Sequence, residues 1–302
     1  MVDYSNWLRD INDDTEISKL SIPGTHNSAA CHMALPSVRC QNESVTDQLK
    51  HGVRFLDVRL SKNFLTTSLD DTDVVNEIIV CHGKFPVKLI GSVKFADLLD
   101  EIYEFLDSHN SETVILSIKQ EGNLEWDNQN DEFPKCINNR YISGRRDKWY
   151  LNNSIPKLRD CRGKIILFRR FGVNDNDLKD NLGITANAWS YNTTDQDCGT
   201  FRVQDFCELE SVEDIKKKAN YVKDMINNAT SYNETNSDPK LFVNFCSGAN
   251  FFSTECWPEN VADVMEYNGV YDEFKKGCGI VVVDYCDKDN WKSVRNLVDK
   301  NF

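Results

Sequence analysis

Two histidines, an aspartate and an arginine close short apolar runs early in this 302-residue chain. Leu20-Ser21-Ile22 stops at Pro23-Gly24-Thr25 and presents His26 and Asn27. Ile78-Ile79-Val80-Cys81 presents His82. Between them Val53-Arg54-Phe55-Leu56-Asp57-Val58-Arg59 carries a carboxylate and a guanidinium two residues apart, hence on one face of a strand. These are the parts that metal-free cleavage of a phosphodiester requires. A base takes a proton from the attacking hydroxyl, a cation offsets charge on the phosphoryl oxygens, and an acid protonates the leaving oxygen. Histidine suits both proton roles because its ordinary pKa, about 6.5, lies near neutrality.

Later strand ends add Lys119, Arg170, Asp205 and Asp284. Each has a plainer reading. A lone histidine is more often structural, and His32, His51 and His109 are assigned so. Asp57 and Arg59 on an outward face would be a surface pair worth under about 1 kcal/mol. On an inward face they would be buried charges, costly without a purpose. The coincidence of two imidazoles, three cations and three carboxylates at strand ends favours a site.

The elements needed to position these residues alternate along the chain. Candidate strands are Leu20–Ile22, Arg54–Arg59, Glu77–Val80, Thr113–Lys119, Lys164–Arg169, Ala186–Trp189, Leu241–Phe245 and Ile280–Asp284. Several are continuous apolar runs, as strands buried on both faces are. Helical spacing marks Phe95–Leu106, Val212–Ile226 and Val261–Phe274. Residues 122–139 read as a polar loop with a short helix. No composition shift, repeat or low-complexity tract divides residues 1–302. The pattern predicts an α/β fold, one irregular (β/α)8-type barrel, with a doubly wound open sheet as the alternative. In a parallel barrel the C-terminal strand ends share one mouth, which would gather the candidates.

Forty per cent apolar and 27% charged residues describe an ordinary globular chain. A net charge of −13 argues against nucleic-acid partners and against strong attraction to anionic membranes. No apolar run approaches the roughly 18 residues of a membrane span. Met1–Trp7 has neither basic head nor apolar stretch, so no secretory signal is predicted. The expected location is cytoplasmic or peripheral at a membrane, with secretion of a trimmed form still open. The 11 cysteines show no CxxC or zinc spacing, and reduced thiols are expected. Cys31/Cys40, Cys198/Cys207 and Cys246/Cys256 are close enough in sequence to bridge in an exported protein. Five Asn-x-Ser/Thr sequons do not decide the compartment.

These blocks resemble the phosphatidylinositol-specific phospholipase C X-domain family, most closely its metal-independent bacterial-type branch. The likeness runs through Ser21–His26, His51–Arg59, Cys81–Gly83, Ser111–Lys119, Arg162–Arg170, Val203–Asp205 and Val282–Tyr285, in family order. Cys31–Gln41 is similar to the fungal version of this branch. The resemblance implies a distorted TIM barrel and attack of the inositol 2-hydroxyl on phosphorus, giving diacylglycerol and inositol 1,2-cyclic phosphate. It makes His26 the base, oriented by Asp284, and His82 the acid. Arg59 would bind phosphate with Asp57 in support, and Asn27, Lys119, Arg170 and Asp205 would line the headgroup site. No cofactor and no metal are implied, and the partner is a phospholipid surface met transiently.

Two positions depart from the bacterial pattern. Asn27 stands where that branch has Asp, and a neutral amide cannot raise the pKa of His82 by charge. Cys207 replaces an aromatic that stacks under the inositol ring. The calcium-dependent branch also has Asn at the first position, but its acidic ligands are here Arg59 and Lys119, which repel a cation. The competing readings are a weakly active headgroup-binding protein and a metal-dependent barrel phosphodiesterase, which would need an acidic cluster. The loop carrying Phe251, Phe252 and Trp257 is expected either to meet lipid or to pack beneath itself.

Overall fold

The computed structural model describes residues 2–65 and 77–302. Its strands, in chain order, are β1 (Ser21–Thr25), β2 (Phe55–Lys62), β3 (Ile78–His82), β4 (Phe85–Pro86), β5 (Val114–Gln120) and β6 (Trp149–Tyr150). They continue with β7 (Ile165–Arg169), β8 (Ile184–Thr185), β9 (Gln196–Asp197), β10 (Phe201–Gln204), β11 (Leu241–Phe245) and β12 (Gly279–Val283). Eight of them run side by side in the order β8-β7-β5-β2-β1-β12-β11-β10, every neighbouring pair parallel.

This is the expected (β/α)8-type barrel in distorted form. Among the described residues no ladder joins β8 to β10. Aromatic rings fill that side instead: Phe201 of β10 lies 5.7 Å from both Phe168 of β7 and Trp189 beyond β8. Rings can pack where two short strands cannot pair, so burial replaces hydrogen bonding as the closure.

Local sequence explains the central staves. β1, β11 and β12 are buried throughout, matching their apolar composition. Gly24 of β1 meets β2 closely: a Cβ there would lie 2.9 Å from Phe55 Cδ1, so this approach requires glycine. Helices Phe95–Ser108, Val212–Thr235, Pro258–Tyr267 and Lys288–Asp299 pack around the sheet and put their apolar faces into one core that runs from Trp7 to Val298. The predicted Val261–Phe274 helix starts earlier, with Pro258 in its first turn, and ends at Tyr267 before Gly269, whose φ of 70° breaks it. Among the described residues no helix is long and apolar enough to cross a membrane.

Three strand expectations need correction. The predicted Glu77–Val80 strand is no barrel stave: β3 pairs antiparallel with the far end of β2, Leu60 opposite Val80 and Lys62 opposite Ile78. β2 is eight residues long and projects past the barrel, giving β3 an edge to fold back on. The stave predicted at Ala186–Trp189 is only Ile184–Thr185, beginning two residues earlier. The sixth stave, β10, was not predicted; its four residues include a half-exposed Arg202, which hides the apolar signal.

Cys31, Cys40, Cys198, Cys207, Cys246 and Cys256 form no disulfides.

Candidate active site

The C-terminal ends of the staves enclose a cavity of about 420 Å³. Its lining includes His26, Arg59, His82, Lys119, Arg170 and Asp205, six of the predicted residues. Asp57, Asn27 and Asp284 lie just beneath and are buried. His32, His51 and His109 do not line it; His51 stacks on Trp291 and His109 on Phe105, as structural histidines do.

His26 leaves β1 where its backbone N–H still donates to Val283 O of β12. Its Nδ1 lies 2.8 Å from Asp284 Oδ1, at the end of β12. Asp284 is an acceptor, so Nδ1 carries the proton and Nε2 presents a lone pair. Arg59 Nη2 at 3.1 Å and Asn27 Nδ2 at 3.2 Å can only donate, and both point at that nitrogen. Three partners thereby agree on one tautomer, the one a general base needs. Burial pushes the Asp284 carboxyl up, while the His26 ring pulls the other way.

Asp57 and Arg59 face inward, so the purposeful reading of that pair holds geometrically. Arg59 donates to Asp57 Oδ2 at 3.4 Å and to Glu121 Oε1 at 3.2 Å. Arg170 Nη1 donates to Asp57 Oδ1 at 3.1 Å. Burial would push Asp57 up, but Arg59 and Arg170 overcome it and hold the carboxyl well below the usual range. Asp57 is therefore a fixed anion tying two cations together. Arg59 Nε makes no hydrogen bond and only faces Asp57 Oδ2 at 3.4 Å, so the guanidinium is held by long contacts rather than saturated ones.

His82 arrives from the opposite direction. Antiparallel β3 carries it back over the mouth, where its ring meets His26 edge to face, centroids 5.8 Å apart. Its Nδ1 donates to Val38 O at 2.9 Å, which leaves Nε2 as the working nitrogen. Burial first, then the charges of Arg59 and His26, hold its pKa down to about 4. Asn27 was expected to matter through His82. Instead its amide serves His26, and the group beside His82 Nδ1 is the Cys40 thiol at 3.8 Å.

The remaining wall is mixed. Arg170 sits 3.9 Å from the Trp189 ring centroid, and its Nη2 is 3.9 Å from Asp205. Lys119 Nζ donates to Glu121 Oε1 at 2.7 Å. Cys207 lines the cavity with Tyr191 beside it.

Glu121 was missed by sequence reasoning. It joins Lys119 and Arg59, accepts from Gly83 N at 2.8 Å, and is held at about 2: burial raises it, and Arg59 and Lys119 lower it further. The signal was present, since Lys119 and Glu121 alternate along one strand end. Lys218 was also missed, because a lysine on a long helix reads as solvent-facing. It is fully buried and donates to Gln204 Oε1 at 3.2 Å and to Phe206 O, bracing the loop that carries Asp205.

Among the described residues, His26, Cys40 and Asp284 bring ligand atoms within 4.8 Å of one another. They suit a metal poorly. Arg59 stands 3.1 Å from His26, Asp284 is engaged by the imidazole, and burial keeps the Cys40 thiol protonated by pushing it far up. The arrangement as a whole suits proton transfer at an anion gripped by arginine.

The rim splits the predicted aromatics. Phe251 and Phe252 are exposed, Phe252 by 94%. Trp257 is half-buried and donates Nε1 to Phe251 O at 3.2 Å, so it braces the loop. Phe85, beside His82 on the β3–β4 hairpin, stacks on Phe251 at 5.4 Å.

Comparison with known proteins bears on the family and the fold. The sequence model described as phosphatidylinositol-specific phospholipase C, X domain, matches residues 14–171. A 1-phosphatidylinositol phosphodiesterase of Listeria monocytogenes is 26% identical over 99% of this chain and 86% of its own length. A PI-PLC X domain-containing protein of the fungus Arthroderma benhamiae is 33% identical over 40% of this chain and 35% of its own. The solved phosphatidylinositol-specific phospholipase C from Listeria monocytogenes superposes with a TM-score of 0.73 at 22% identity, covering 100% of both chains.

Proposed function

The chain belongs to the phosphatidylinositol-specific phospholipase C X-domain family, and from that premise we propose that it cleaves phosphatidylinositol-type lipids without a metal ion. The observation that carries the mechanism is the His26 contact set: Asp284 on Nδ1, Arg59 on Nε2, and His82 facing the ring. The phosphate's anionic oxygens compete with His26 for the Arg59 guanidinium, which frees the Nε2 lone pair. His26 then takes the proton of the inositol 2-hydroxyl as its oxygen bonds to phosphorus. His82, taken to the imidazolium as the bound phosphate offsets Arg59, gives its Nε2 proton to the diacylglycerol oxygen as the bond from phosphorus to that oxygen breaks. The products are diacylglycerol and inositol 1,2-cyclic phosphate. Asp284 holds the His26 tautomer, and Asp57 and Glu121 fix Arg59. Lys119, Arg170 and Asp205 meet the inositol hydroxyls. Residues 1–302 act as one catalytic barrel.

Arg59 takes the place of a cation at the phosphate, and its bidentate fork matches two oxygens. At the rim, Phe85, Phe251 and Phe252 enter the lipid surface transiently. Net charge of −13 makes that contact apolar rather than electrostatic. The direct test measures diacylglycerol released from phosphatidylinositol vesicles in EDTA, with and without added calcium. Undiminished release in EDTA supports the proposal; release only with calcium overturns it.

A further inference from the structure

The cavity is lined mainly by charge, yet a cyclitol has two chemistries. Its equatorial hydroxyls form a polar rim, while its ring faces present C–H bonds that need an apolar plane. Trp189 is engaged by Arg170 at 3.9 Å, and Phe245 packs edge-on against His26 at 6.4 Å. Cys207 is too small to offer a plane. The remaining aromatic of the lining is Tyr191.

Tyr191 is 74% exposed, and among the described residues no aromatic ring or cation packs on it. Yet it is held in place. Its hydroxyl donates to Glu208 Oε1 at 2.9 Å. The next residue, Asn192, adopts a φ of 56° and accepts from Cys207 N at 2.8 Å and Glu208 N at 3.0 Å. Asp205 N donates to Thr193 O at 2.8 Å. Four hydrogen bonds thus stitch the Tyr191 loop onto the loop that carries Asp205 and Cys207. Asn tolerates the left-handed conformation that this bend requires. An exposed, unstacked ring fixed at a charged cavity is costly to order unless something rests on it.

We propose that Tyr191 is a specificity-determining residue whose ring supplies the apolar platform for the inositol ring, in place of any side chain at position 207. This rests on the function proposed above and assigns the headgroup contact to a different loop.

The test is steady-state hydrolysis of soluble inositol 1,2-cyclic phosphate, which bypasses the lipid surface, with saturation-transfer NMR of myo-inositol alongside. Tyr191→Ala should raise KM about two- to tenfold, the range of an aromatic contact, with a smaller change in kcat. Tyr191→Phe and Tyr191→Trp, which lack the tether but keep a ring, should stay near the parent. Cys207→Tyr in the Tyr191→Ala background should recover KM. Tyr191→Leu, with an unchanged melting temperature, guards against misfolding as the cause. If Tyr191→Phe is as damaging as Tyr191→Ala, the residue is a loop tether and the proposal fails. It fails also if KM is indifferent to Tyr191→Ala in an active enzyme. If the parent turns over neither lipid nor cyclic phosphate but still saturates myo-inositol through Tyr191, the platform stands and the enzymatic reading falls.

Discussion

Two arginines five residues apart, one just before β2 and one within it, have opposite fates. Arg54, just before β2, is buried with its donors spent: Nε and Nη2 on Glu112 at 3.0 and 2.8 Å, Nη1 on Leu49 O and Val53 O, and Nη2 on Ser5 O. Arg59, toward the mouth, holds longer bonds to Glu121, His26 and Asp57 at 3.1 to 3.4 Å, and its Nε only faces Asp57 Oδ2 at 3.4 Å without a hydrogen bond. A saturated buried charge fixes structure, because removing one partner strands the other. An under-saturated charge beside a cavity keeps donors for an incoming anion. Burial does not separate the two roles; leftover hydrogen-bonding capacity does.

The largest effect should come from the residues that Arg59 serves. His26→Ala or His82→Ala should lower turnover by about 10²–10⁴ while the melting temperature changes little. Near-parental turnover in either variant removes it from the proton-transfer pair. Arg59→Lys should lower turnover by about 10² or more, since a point charge cannot replace the fork, again with little loss of stability. Arg54→Met should do the reverse. It leaves Glu112 buried without its counter-ion, destabilising the fold by about 3–5 kcal/mol in denaturant titrations, while molecules that remain folded keep their turnover. If Arg54→Met abolishes turnover in folded protein, or Arg59→Lys unfolds the chain, the contrast is wrong.

Protonation sharpens the same contrast. His82 is held at about 4 by burial and by Arg59 and His26. The acid role needs its proton, so kcat/KM should decline as pH rises past that value. A bound phosphate anion offsets Arg59 and raises the His82 pKa in the complex. The basic limb of kcat should therefore lie at higher pH than that of kcat/KM. Coincident limbs would mean that His82 does not face the phosphate. The smallest effect belongs to the rim. Phe251→Ser with Phe252→Ser should weaken partitioning into vesicles, with little dependence on salt, and leave hydrolysis of soluble cyclic phosphate unchanged. Equal loss on both substrates would mean that the loop supports the site rather than the lipid contact.

Much of the site was legible because it is local. Strand ends that carry His26, Arg59, Lys119 and Asp284 can be read from apolar runs and the turns that stop them. His82 was legible as a residue but not as a direction, since β3 folds onto a part of β2 that extends beyond the barrel. β10 was illegible because its neighbours rather than its composition make it a strand. Glu121 and Lys218 were hidden for a common reason: charges at a strand end and on a helix read as solvated until their partners are seen. Asn27 was matched to His82, whereas its amide meets His26, because a sequence does not say which ring an amide meets.

The central claim is attack by the neighbouring inositol hydroxyl, driven by His26 and His82 with Arg59 at the phosphate. Phosphorus NMR of the products from phosphatidylinositol micelles in EDTA tests it most directly. The account predicts the strongly downfield resonance of a five-membered cyclic phosphate as the first product to accumulate. Direct appearance of an acyclic inositol phosphate, or no product until calcium is restored, would contradict it.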